Sequence, residues 1–551
     1  MNPSKIRLPP LAALLLSAFA LSFHATAGSA KSEWVFPGPN GKLIYKTTPT
    51  GDKIMDFSSA GYMGGGVALP TDVPVKRTVT PSGTGDDTAR IQAAINEMAA
   101  LPVQGNFRGA VLLAPGTFVC SNTIYLPTNG IVLRGSGSGA GGSTIQMFGG
   151  RHVAIASGVG RGRMNRPAID EEELPDQAQS AASGRTFIAD TRVPSGTTTF
   201  TVSNANGFAV GDNIEIRRPV TAAWVRFMEM DNLRRDGRPQ TWLRAGTVIP
   251  IERKIAAISQ NKITLDVPLS DSFDSRYLNP PGTAVVKVQP PRRLAQIGIE
   301  HLHIQSPEQH VNHTQELYTA IRLAGEDCWV RDVIIDETMN SVSVGGRRIT
   351  LQNVTVNRKA LHVGASKPAE FAPNGDQILL DRCSVNADNV WFAATGSGHS
   401  GPIVFLNCAF AGDGHIEGHM RWSTGMLLDN CSLPGGGIDF KNRGAMGSGH
   451  GWGMGWAVAW NCVAKSYVIQ QPPGAWNWAI GCIGQRELLP RPFDSAPTLP
   501  EGTFDSFGTP VSPQSLYLAQ LAERLGMNAL RNIGYSSAEI KPSEKIPPSN
   551  R

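Results

Sequence analysis

The sequence predicts an all-β protein built as a right-handed parallel β-helix, a solenoid in which successive coils of the chain stack on one another. Two observations predict this fold. A short apolar-polar-apolar pattern recurs through the second half of the chain, and 60 glycines and 39 prolines accompany only 17% charged residues. This composition suits many turns around a large buried interior, and it argues against a helical bundle or a disordered chain.

The recurring pattern occurs in eight short segments that align on one apolar position. The aligned residues are Leu302, Val333, Val354, Cys383, Cys408, Cys431, Cys462 and Cys482. They lie about 26 residues apart on average, the length of one solenoid coil, and their variable spacing argues against a leucine-rich repeat. Because side chains alternate along a strand, we expect this column to stack inside the coils, with the preceding column facing outward or entering a turn. That preceding column contains His301, Asp332, Asn353, Arg382, Asn407, Asn430 and Asn461.

Residues 1–27 have the pattern of a secretory signal peptide. Lys5 and Arg7 precede an apolar run from Leu11 to Phe23, and small residues up to Ala27 offer a cleavage site. The apolar run is too short to span a bilayer. We therefore expect an exported protein, periplasmic or secreted, with no membrane segment after the signal is removed.

Residues 28–148 are predicted to hold an N-terminal segment, a capping helix and the first coils. Asp86 and Asp87 are candidates for the helix cap. The apolar residues that follow at helical spacing are Ile91, Ala94, Ile95 and Met98. We expect this helix to cover the open end of the solenoid, where edge strands would otherwise be exposed.

Residues 149–290 lose the coil pattern and alternate like antiparallel hairpins, with turns such as Asn206-Gly207. We interpret them as an inserted β-rich subdomain. The coils resume over residues 291–490. Residues 491–551 form a C-terminal extension with one short amphipathic helix and a disordered tail.

The seven cysteines and the net charge of +5 exclude some classes of function. No pair of cysteines has the close spacing of a zinc site, so we expect them to be small buried hydrophobic residues. No basic run is interleaved with aromatic residues, which argues against binding to nucleic acid. The sequence does not indicate an oligomeric state.

The N-terminal part of the chain resembles a known superfamily. The segments GDDTARIQAAINEM, GAVLLAPGTFVCSNTIYL and GIVLRGSGSG are similar to the opening of the pectate-lyase-like superfamily of right-handed β-helix proteins. The resemblance covers the cap and the first coils by motif, and the later coils by architecture. It implies a carbohydrate-active protein, usually a lyase or a glycosidase, whose partner is an acidic polysaccharide or oligosaccharide. It does not identify the sugar, because one solenoid carries many chemistries.

The densest cluster of polar and aromatic side chains lies between residues 413 and 462. β-Elimination at a uronate needs groups that neutralise the carboxylate, a base for the C5 proton and an acid for the leaving oxygen. The catalytic candidates are His419, Arg421, Lys441, Arg443 and His450, with either His419 or His450 as the base. The residues predicted to bind the sugar are Trp422, Asn442, Trp452 and Trp456. The loop 444–455 contains six glycines, a composition suited to the close approach of a ligand to the backbone.

These features predict a polysaccharide lyase acting on a uronic-acid-containing polysaccharide, with three alternatives left open. The first is a polygalacturonase-like hydrolase, because Asn386-Ala387-Asp388 and Gly449-His450-Gly451 faintly resemble two sequence elements of that family. The paired aspartates expected between those elements are absent, however. A C5 epimerase would use the same proton abstraction. A non-catalytic polysaccharide-binding solenoid would instead spread aromatic residues along one face. The sequence requires no cofactor and contains no recognisable set of metal ligands. Many pectate lyases use Ca²⁺, and the sequence leaves open whether this protein does.

Overall fold

The computed structural model describes residues 30–158, 184–289, 293–312, 315–364, 366–494 and 498–540. In these ranges the chain is mostly β, and most strands belong to one large set of parallel ladders. The predicted signal peptide and the C-terminal tail lie outside the described residues. None of the helices in the described ranges is both long enough and apolar enough to cross a membrane.

Each full coil of this parallel β-helix has three strand segments, which we call A, B and C in chain order. In one coil they are residues 319–326, 328–331 and 333–336, separated by bends at Asp327 and Asp332, where φ is positive. Equivalent segments of successive coils pair in parallel and form ladders A, B and C. The strands of the ladders are Val75–Val79, Gly109–Leu113, Gly116–Cys120, Ile124–Leu126, Ile131–Arg134, Ser143–Met147, Val153–Ser157, Gly298–Gln305, Thr319–Asp336, Val342–Asn357, Ala369–Asp381, Ser384–Asn386, Trp391–Thr395, Ser400–Leu406, Ala409–Ala411, His415–Gly418, Ser423–Asp429, Ser432–Phe440, Met454–Gly455, Val458–Trp460, Val463–Ile469, Trp478–Ile480, Ile483–Arg486 and Thr503–Asp505.

The pairing of the coils confirms the predicted apolar column. Leu302 pairs in register with Val333, and Val333 with Val354. The residues that follow Cys383 and Cys408 also pair in register, so these two cysteines stack, and the same relation extends to Cys462 and Cys482. All eight side chains are buried in one core. The seven cysteines of the chain are therefore buried free thiols that pack as small hydrophobic residues.

The column that precedes the apolar one forms the bend between ladders B and C. All seven of its members have φ between 50° and 57°. This left-handed conformation is unfavourable for most L-residues, but asparagine tolerates it better than most. The bend therefore explains why asparagine fills the column in the later coils. Of the two predicted alternatives for this column, the structure shows the turn and not the outward-facing strand position.

The predicted N-terminal helix is present at Thr88–Ala99. Its four predicted apolar residues all pack in the core inside the coils. Asp86 Oδ1 accepts a hydrogen bond from the backbone N–H of Thr88 at 2.9 Å, whereas Asp87 accepts one from the N–H of Ser82. The helix contacts the strands of the first coils, as expected of a cap.

The inserted subdomain contains a six-stranded antiparallel sheet, and it begins later than predicted. The strand Val153–Ser157 still pairs in parallel with Ile124–Leu126 and belongs to ladder A, so the coils extend beyond the predicted boundary at residue 149. The strands of the insertion are Gly184–Phe187, Arg192–Val193, Thr199–Thr201, Asn213–Pro219, Arg234–Arg235, Arg238–Pro239, Val248–Ser259, Lys262–Leu265, Phe273–Asp274 and Ala284–Lys287, and its helices are Ala222–Phe227 and Ser275–Leu278.

A second hydrophobic core covers the outer face of ladder B. Side chains such as Val404, Leu427 and Trp460 pack there against the N-terminal segment, the insertion and the C-terminal helices. The coils continue past residue 490, because Thr503–Asp505 pairs in parallel with Trp478–Ile480. The remaining elements are the strands Ala30–Lys31, Val35–Pro37, Leu43–Tyr45 and Val511–Ser512, the 3-10 turns Tyr62–Gly64 and Ser537–Ile540, and two C-terminal helices where one was predicted, Leu516–Leu525 and Met527–Asn532.

Candidate functional site

Ladder A carries two carboxylates on its outer face in neighbouring coils. Ile416 points into the core, so the residues on either side of it, His415 and Glu417, point outward. Glu417 pairs in register with Asp439 of the next coil, which places the two residues on adjacent rungs about 4.8 Å apart. Both carboxylate side chains are fully buried. Other side chains therefore cover both carboxylates and separate them from solvent.

A histidine contacts each of these carboxylates. His415 Nδ1 lies 2.9 Å from Asp439 Oδ2, and His419 Nδ1 lies 2.5 Å from Glu417 Oε1. The two imidazole side chains are 30% and 14% exposed, respectively. A ligand that approaches ladder A would therefore meet the imidazoles before the acids.

Two cations follow Asp439 at alternating positions. Lys441 Nζ lies 2.6 Å from Asp439 Oδ2, and Arg443 Nη1 lies 2.8 Å from Glu417 Oε1. The lysine side chain is 17% exposed and the arginine side chain only 4%. Arg443 therefore balances the charge of Glu417 inside the protein, while the side chain of Lys441 is partly exposed. Among the described residues, no group of three or more His, Cys, Asp or Glu side chains is arranged to hold a metal ion.

The two acids have pKa values displaced in opposite directions. Burial raises the pKa of Glu417, and Arg443 and Lys441 offset only part of this effect. Burial alone would also raise the pKa of Asp439, but Lys441 and His415 outweigh it and hold that pKa well below its ordinary value. Burial would lower the pKa of Lys441, yet Asp439 and Glu417 raise it above its ordinary value. Asp439 is therefore ionised and Lys441 protonated at neutral pH.

Trp391 lies beside the two imidazoles. It pairs with His415 on ladder A, and its ring centroid lies 6.3 Å from that of His415 and 5.8 Å from that of His419. Lys367 Nζ lies 5.4 Å from the centre of the same indole, which is partly exposed. An exposed indole next to polar groups is a suitable platform for one face of a sugar ring.

Sequence analysis did not assign a role to Trp391, His415, Glu417 or Asp439. The signal that could have identified three of them is the alternation of ionisable residues at 415, 417 and 419, and again at 439, 441 and 443. The intervening Ile416 and Phe440 are buried apolar residues, as period-two alternation requires. No comparable local pattern marks Trp391.

The three tryptophans predicted to bind the sugar are buried against the inserted subdomain, and this prediction is wrong. The indole N–H groups of Trp422 and Trp456 donate to Asp271 at 2.9 Å and 3.1 Å. The indole N–H of Trp452 donates to the carbonyl of Met228 at 3.0 Å. At most 3% of each residue is exposed. These tryptophans hold the insertion on the solenoid and leave no face for a sugar.

Asn442 and the glycine-rich loop also have structural roles where a ligand was expected. The buried Asn442 donates its backbone N–H to Gln470 Oε1 at 2.7 Å, and its Oδ1 accepts the N–H of Gly444 at 2.8 Å. A Cβ at Gly451 would lie 2.4 Å from Trp242 of the insertion, and φ there is 55°. Trp242, and not a ligand, therefore lies against the backbone of the glycine-rich loop. This corrects the prediction for the loop, and the hydrogen bonds of Asn442 correct the prediction that it binds the sugar.

His450 lies next to His419, with ring centroids 4.8 Å apart. Burial lowers the pKa of His450 to about 2, and the electrostatic effects of His419 and Arg443 act in the same direction. An imidazole with so low a pKa is a poor proton acceptor, which argues against His450, one of the two candidates for the base. Arg421 Nη2 donates to the hydroxyl of Ser448 at 2.6 Å, within the loop that carries His450.

No protein-family model and no curated protein matches the chain. Solved structures do match, among them the tailspike protein gp49 of Pseudomonas phage LKA1, which is 15% identical with a TM-score of 0.38. That match covers 73% of this chain and 56% of the tailspike, so the chain spans little more than half of that protein.

Two further matches are more distant. The Gp54 tailspike of Acinetobacter baumannii bacteriophage AP22, solved in complex with capsular saccharide, is 8% identical over 78% of this chain and 71% of its own, with a TM-score of 0.24. The A-module of the mannuronan C-5 epimerase AlgE6 of Azotobacter vinelandii is 12% identical over 78% of this chain and 97% of its own, with a TM-score of 0.23. At these values none of the three assigns a function to this chain.

Proposed function

We propose that the protein is a polysaccharide lyase that cleaves a uronic-acid-containing polysaccharide at the outer face of ladder A. The observation that carries the proposal is the His415–Asp439 pair with Lys441 beside it, which puts a base and a cation together at the surface. In β-elimination the base removes the C5 proton, the C4–O bond breaks and a C4–C5 double bond forms. The departing oxygen takes a proton, and the base returns its own to water.

We assign the base to His415. Asp439 contacts its Nδ1, and Nε2 has no hydrogen-bond partner within the described part of the chain. A carboxylate on one imidazole nitrogen selects the tautomer and leaves the other nitrogen as a proton acceptor. The raised pKa of Lys441 keeps its ammonium group charged, so that it can stabilise the negative charge that develops around the substrate carboxylate.

His419 and Trp391 complete the proposed site. His419 rests on the carboxylate of Glu417 and is our candidate to protonate the leaving oxygen. Trp391 lies between the imidazoles and Lys367, where its indole face can support a sugar ring and the lysine can contact the carboxylate of that sugar.

Glycoside hydrolysis is the second candidate, because one specific observation favours it. Glu417 and Asp439 have pKa values displaced in opposite directions, as in an acid and base pair of a hydrolase. Both carboxylates are fully buried beneath the imidazoles, however, so neither reaches a glycosidic bond directly. An epimerase shares the first proton transfer and differs in returning a proton to the opposite face of C5.

The deciding experiment incubates the protein with polymers of galacturonate, glucuronate, mannuronate and guluronate, and follows the ultraviolet absorbance of unsaturated product. Methyl-esterified or reduced polymers serve as controls, since they lack the charge that Lys441 would recognise. We expect absorbance to rise with the acidic polymers alone. New reducing ends without absorbance would overturn elimination in favour of hydrolysis. Solvent deuterium incorporation at C5 without chain cleavage would overturn it in favour of epimerisation.

The proposal includes the finer points of the sequence prediction. We propose that the coils are right-handed, that the chain is related to the pectate-lyase-like superfamily, and that residues 1–27 direct export. The support for these points is the set of N-terminal motifs and the apolar run of the leader. An exported enzyme would meet polysaccharides outside the cytoplasm, where they accumulate.

A further inference from the structure

A separate pocket of about 380 Å³ lies on the outer face of ladder B, in coils that precede the site on ladder A. Its floor includes Thr350 and Gln352 of one coil and Asp381 of the next. Its walls are the loop 61–71 and the C-terminal residues 531–534. The volume falls within the range of about 300–1,000 Å³ found for small-molecule sites. Three distant parts of the chain thus enclose a space large enough for a ligand.

The charge of the pocket favours an anion. Three arginines and one aspartate line it, namely Arg331, Arg382, Arg531 and Asp381. The aspartate is already occupied: Oδ1 accepts the hydroxyl of Tyr535, and Oδ2 accepts Gln352 Nε2 at 3.0 Å and Arg382 Nη2 at 2.6 Å. Asp381 and Arg382 therefore cancel each other, and the other two arginines set the charge.

Arg331 is only partly compensated. Its Nη2 donates to Glu300 at 2.5 Å and to the carbonyl of Pro70 at 2.9 Å. The same carboxylate also accepts Arg134 Nε at 2.6 Å, so one acid serves two guanidinium groups. The neighbouring Asp332 also interacts with the charge of Arg331, but its carboxylate is shared with His301. The Nε of Arg331 is buried and has no partner among the described residues. Arg531 is exposed at the opposite wall, where its guanidinium group donates to Asn528 Oδ1.

The walls come close to ladder B because glycines line one of them. Gly61 has φ of 104°, and a Cβ there would lie 3.1 Å from both Leu379 and Thr350. A Cβ at Gly65 would lie 2.3 Å from the carbonyl oxygen of Ser58. A side chain at either position would displace the loop that forms the wall, so glycine at these positions maintains the shape of the pocket.

We infer that this pocket is an accessory site for a carboxylate-bearing sugar, the class of substrate on which the proposed function rests. The surplus guanidinium charge of Arg331 and Arg531 would bind the carboxylate, since guanidinium groups pair with carboxylates through two hydrogen bonds. The amide oxygen of Gln352 and the amide group of Asn353 suit sugar hydroxyls. A uronate polymer held here would stay bound to the protein while another part of it is cleaved on ladder A.

Binding of a uronate trisaccharide, measured by calorimetry, tests the inference. The titrations use His415→Ala protein, which prevents turnover, alone and combined with Arg531→Glu, Arg531→Gln or Arg77→Glu. Arg77 is a partly exposed arginine that forms an ion pair outside the pocket, so it is the matched control. Replacing Arg531 by Glu should weaken one class of site about tenfold or more, replacing it by Gln should weaken it less, and Arg77→Glu should leave it unchanged.

Equal binding by the Arg531→Glu and Arg77→Glu proteins would overturn the inference. Equally tight binding of a neutral trisaccharide would also overturn it. Complete displacement of the uronate by inorganic phosphate would show that the pocket binds anions in general and does not recognise the sugar. The lyase assay separates this result from the proposed function. Arg531→Glu in the otherwise native protein should keep kcat on a trisaccharide and raise KM for the polymer. Loss of uronate binding in Arg531→Glu without any lyase activity would support the pocket and refute the reaction.

Discussion

Glu417 and Asp439 lie in register on neighbouring coils, yet the first is pushed toward its neutral form and the second is held ionised. The difference comes from their partners. At Asp439 the charges and hydrogen bonds of Lys441 and His415 outweigh burial, whereas at Glu417 the charges of Arg443 and Lys441 offset burial only in part and the charge of Asp439 acts in the same direction as burial. Asp439 is therefore the charge that positions His415 and Lys441, which are the two groups we propose to act on the substrate.

Replacing the proposed base should abolish most of the activity. We expect His415→Gln to lower kcat on an acidic polymer by about 100-fold or more, because general base catalysis typically contributes that much. The control is His303→Gln, since His303 forms a similar pair with Asp336 at 2.8 Å but lies on ladder C. The unfolding temperature of both variants should stay close to that of the native protein. Wild-type kcat in His415→Gln would remove His415 from the mechanism.

Two tryptophan substitutions should separate sugar binding from packing. Trp391→Ala should raise KM with little change in stability, because the indole is partly exposed beside the histidines. Trp422→Ala should instead cost about 3–5 kcal/mol of unfolding free energy, since it removes a buried aromatic ring and the hydrogen bond to Asp271. Steady-state kinetics and denaturant unfolding measure the two effects. A stable Trp422→Ala protein with raised KM would contradict this assignment.

The ion pair beneath His415 should make stability depend on pH at the acidic end. The pKa of Asp439 is lower in the folded protein than its ordinary value of 3.8, so its charge stabilises the fold above that pH. This contribution is lost as the pH falls further and protonates Asp439 in the folded state. Asp439→Asn should remove that part of the pH dependence. It should also cost about 3 kcal/mol at neutral pH, because Lys441 loses its buried partner.

Denaturant unfolding of the native and Asp439→Asn proteins at pH values from neutral to strongly acidic measures this effect. The difference in unfolding free energy between the two proteins should shrink as the pH falls. A constant difference across that range would show that Asp439 carries no linked charge. Asp336→Asn on ladder C is the matched control, because its carboxylate is 29% exposed and should contribute much less.

The bend between ladders B and C should respond to backbone conformation more than to side-chain chemistry. Asn430 has φ of 56°, and its amide donates to Asn407 Oδ1 at 2.6 Å. Asn430→Ala and Asn430→Gly both lose that hydrogen bond, but the left-handed conformation is energetically unfavourable only for alanine. We expect the alanine variant to be about 1 kcal/mol less stable than the glycine variant by denaturant unfolding. A more stable alanine variant would show that the bend does not require this φ.

The site was only partly predictable. Lys441, Arg443 and His419 could be placed together because period-two alternation and the coil length bring residues 417–419 and 439–443 to adjacent rungs. The same reasoning could not find Trp391, which belongs to the preceding coil and has no local pattern around it. It also could not reject Trp422 or His450, because their burial depends on contacts outside their own coil or on the path of a loop.

The sequence by itself determined the coil repeat, the buried column from Leu302 to Cys482, and the capping helix. These depend on local periodicity, which a strand or a helix carries along its own length. Only the tertiary structure decided which polar and aromatic side chains stay accessible. The insertion and the N- and C-terminal segments within the described ranges pack over ladder B, and the insertion buries Trp422, Trp452 and Trp456, while the histidines on ladder A stay partly exposed. Exposure depends on segments far apart in sequence, so no periodicity within one coil could reveal it.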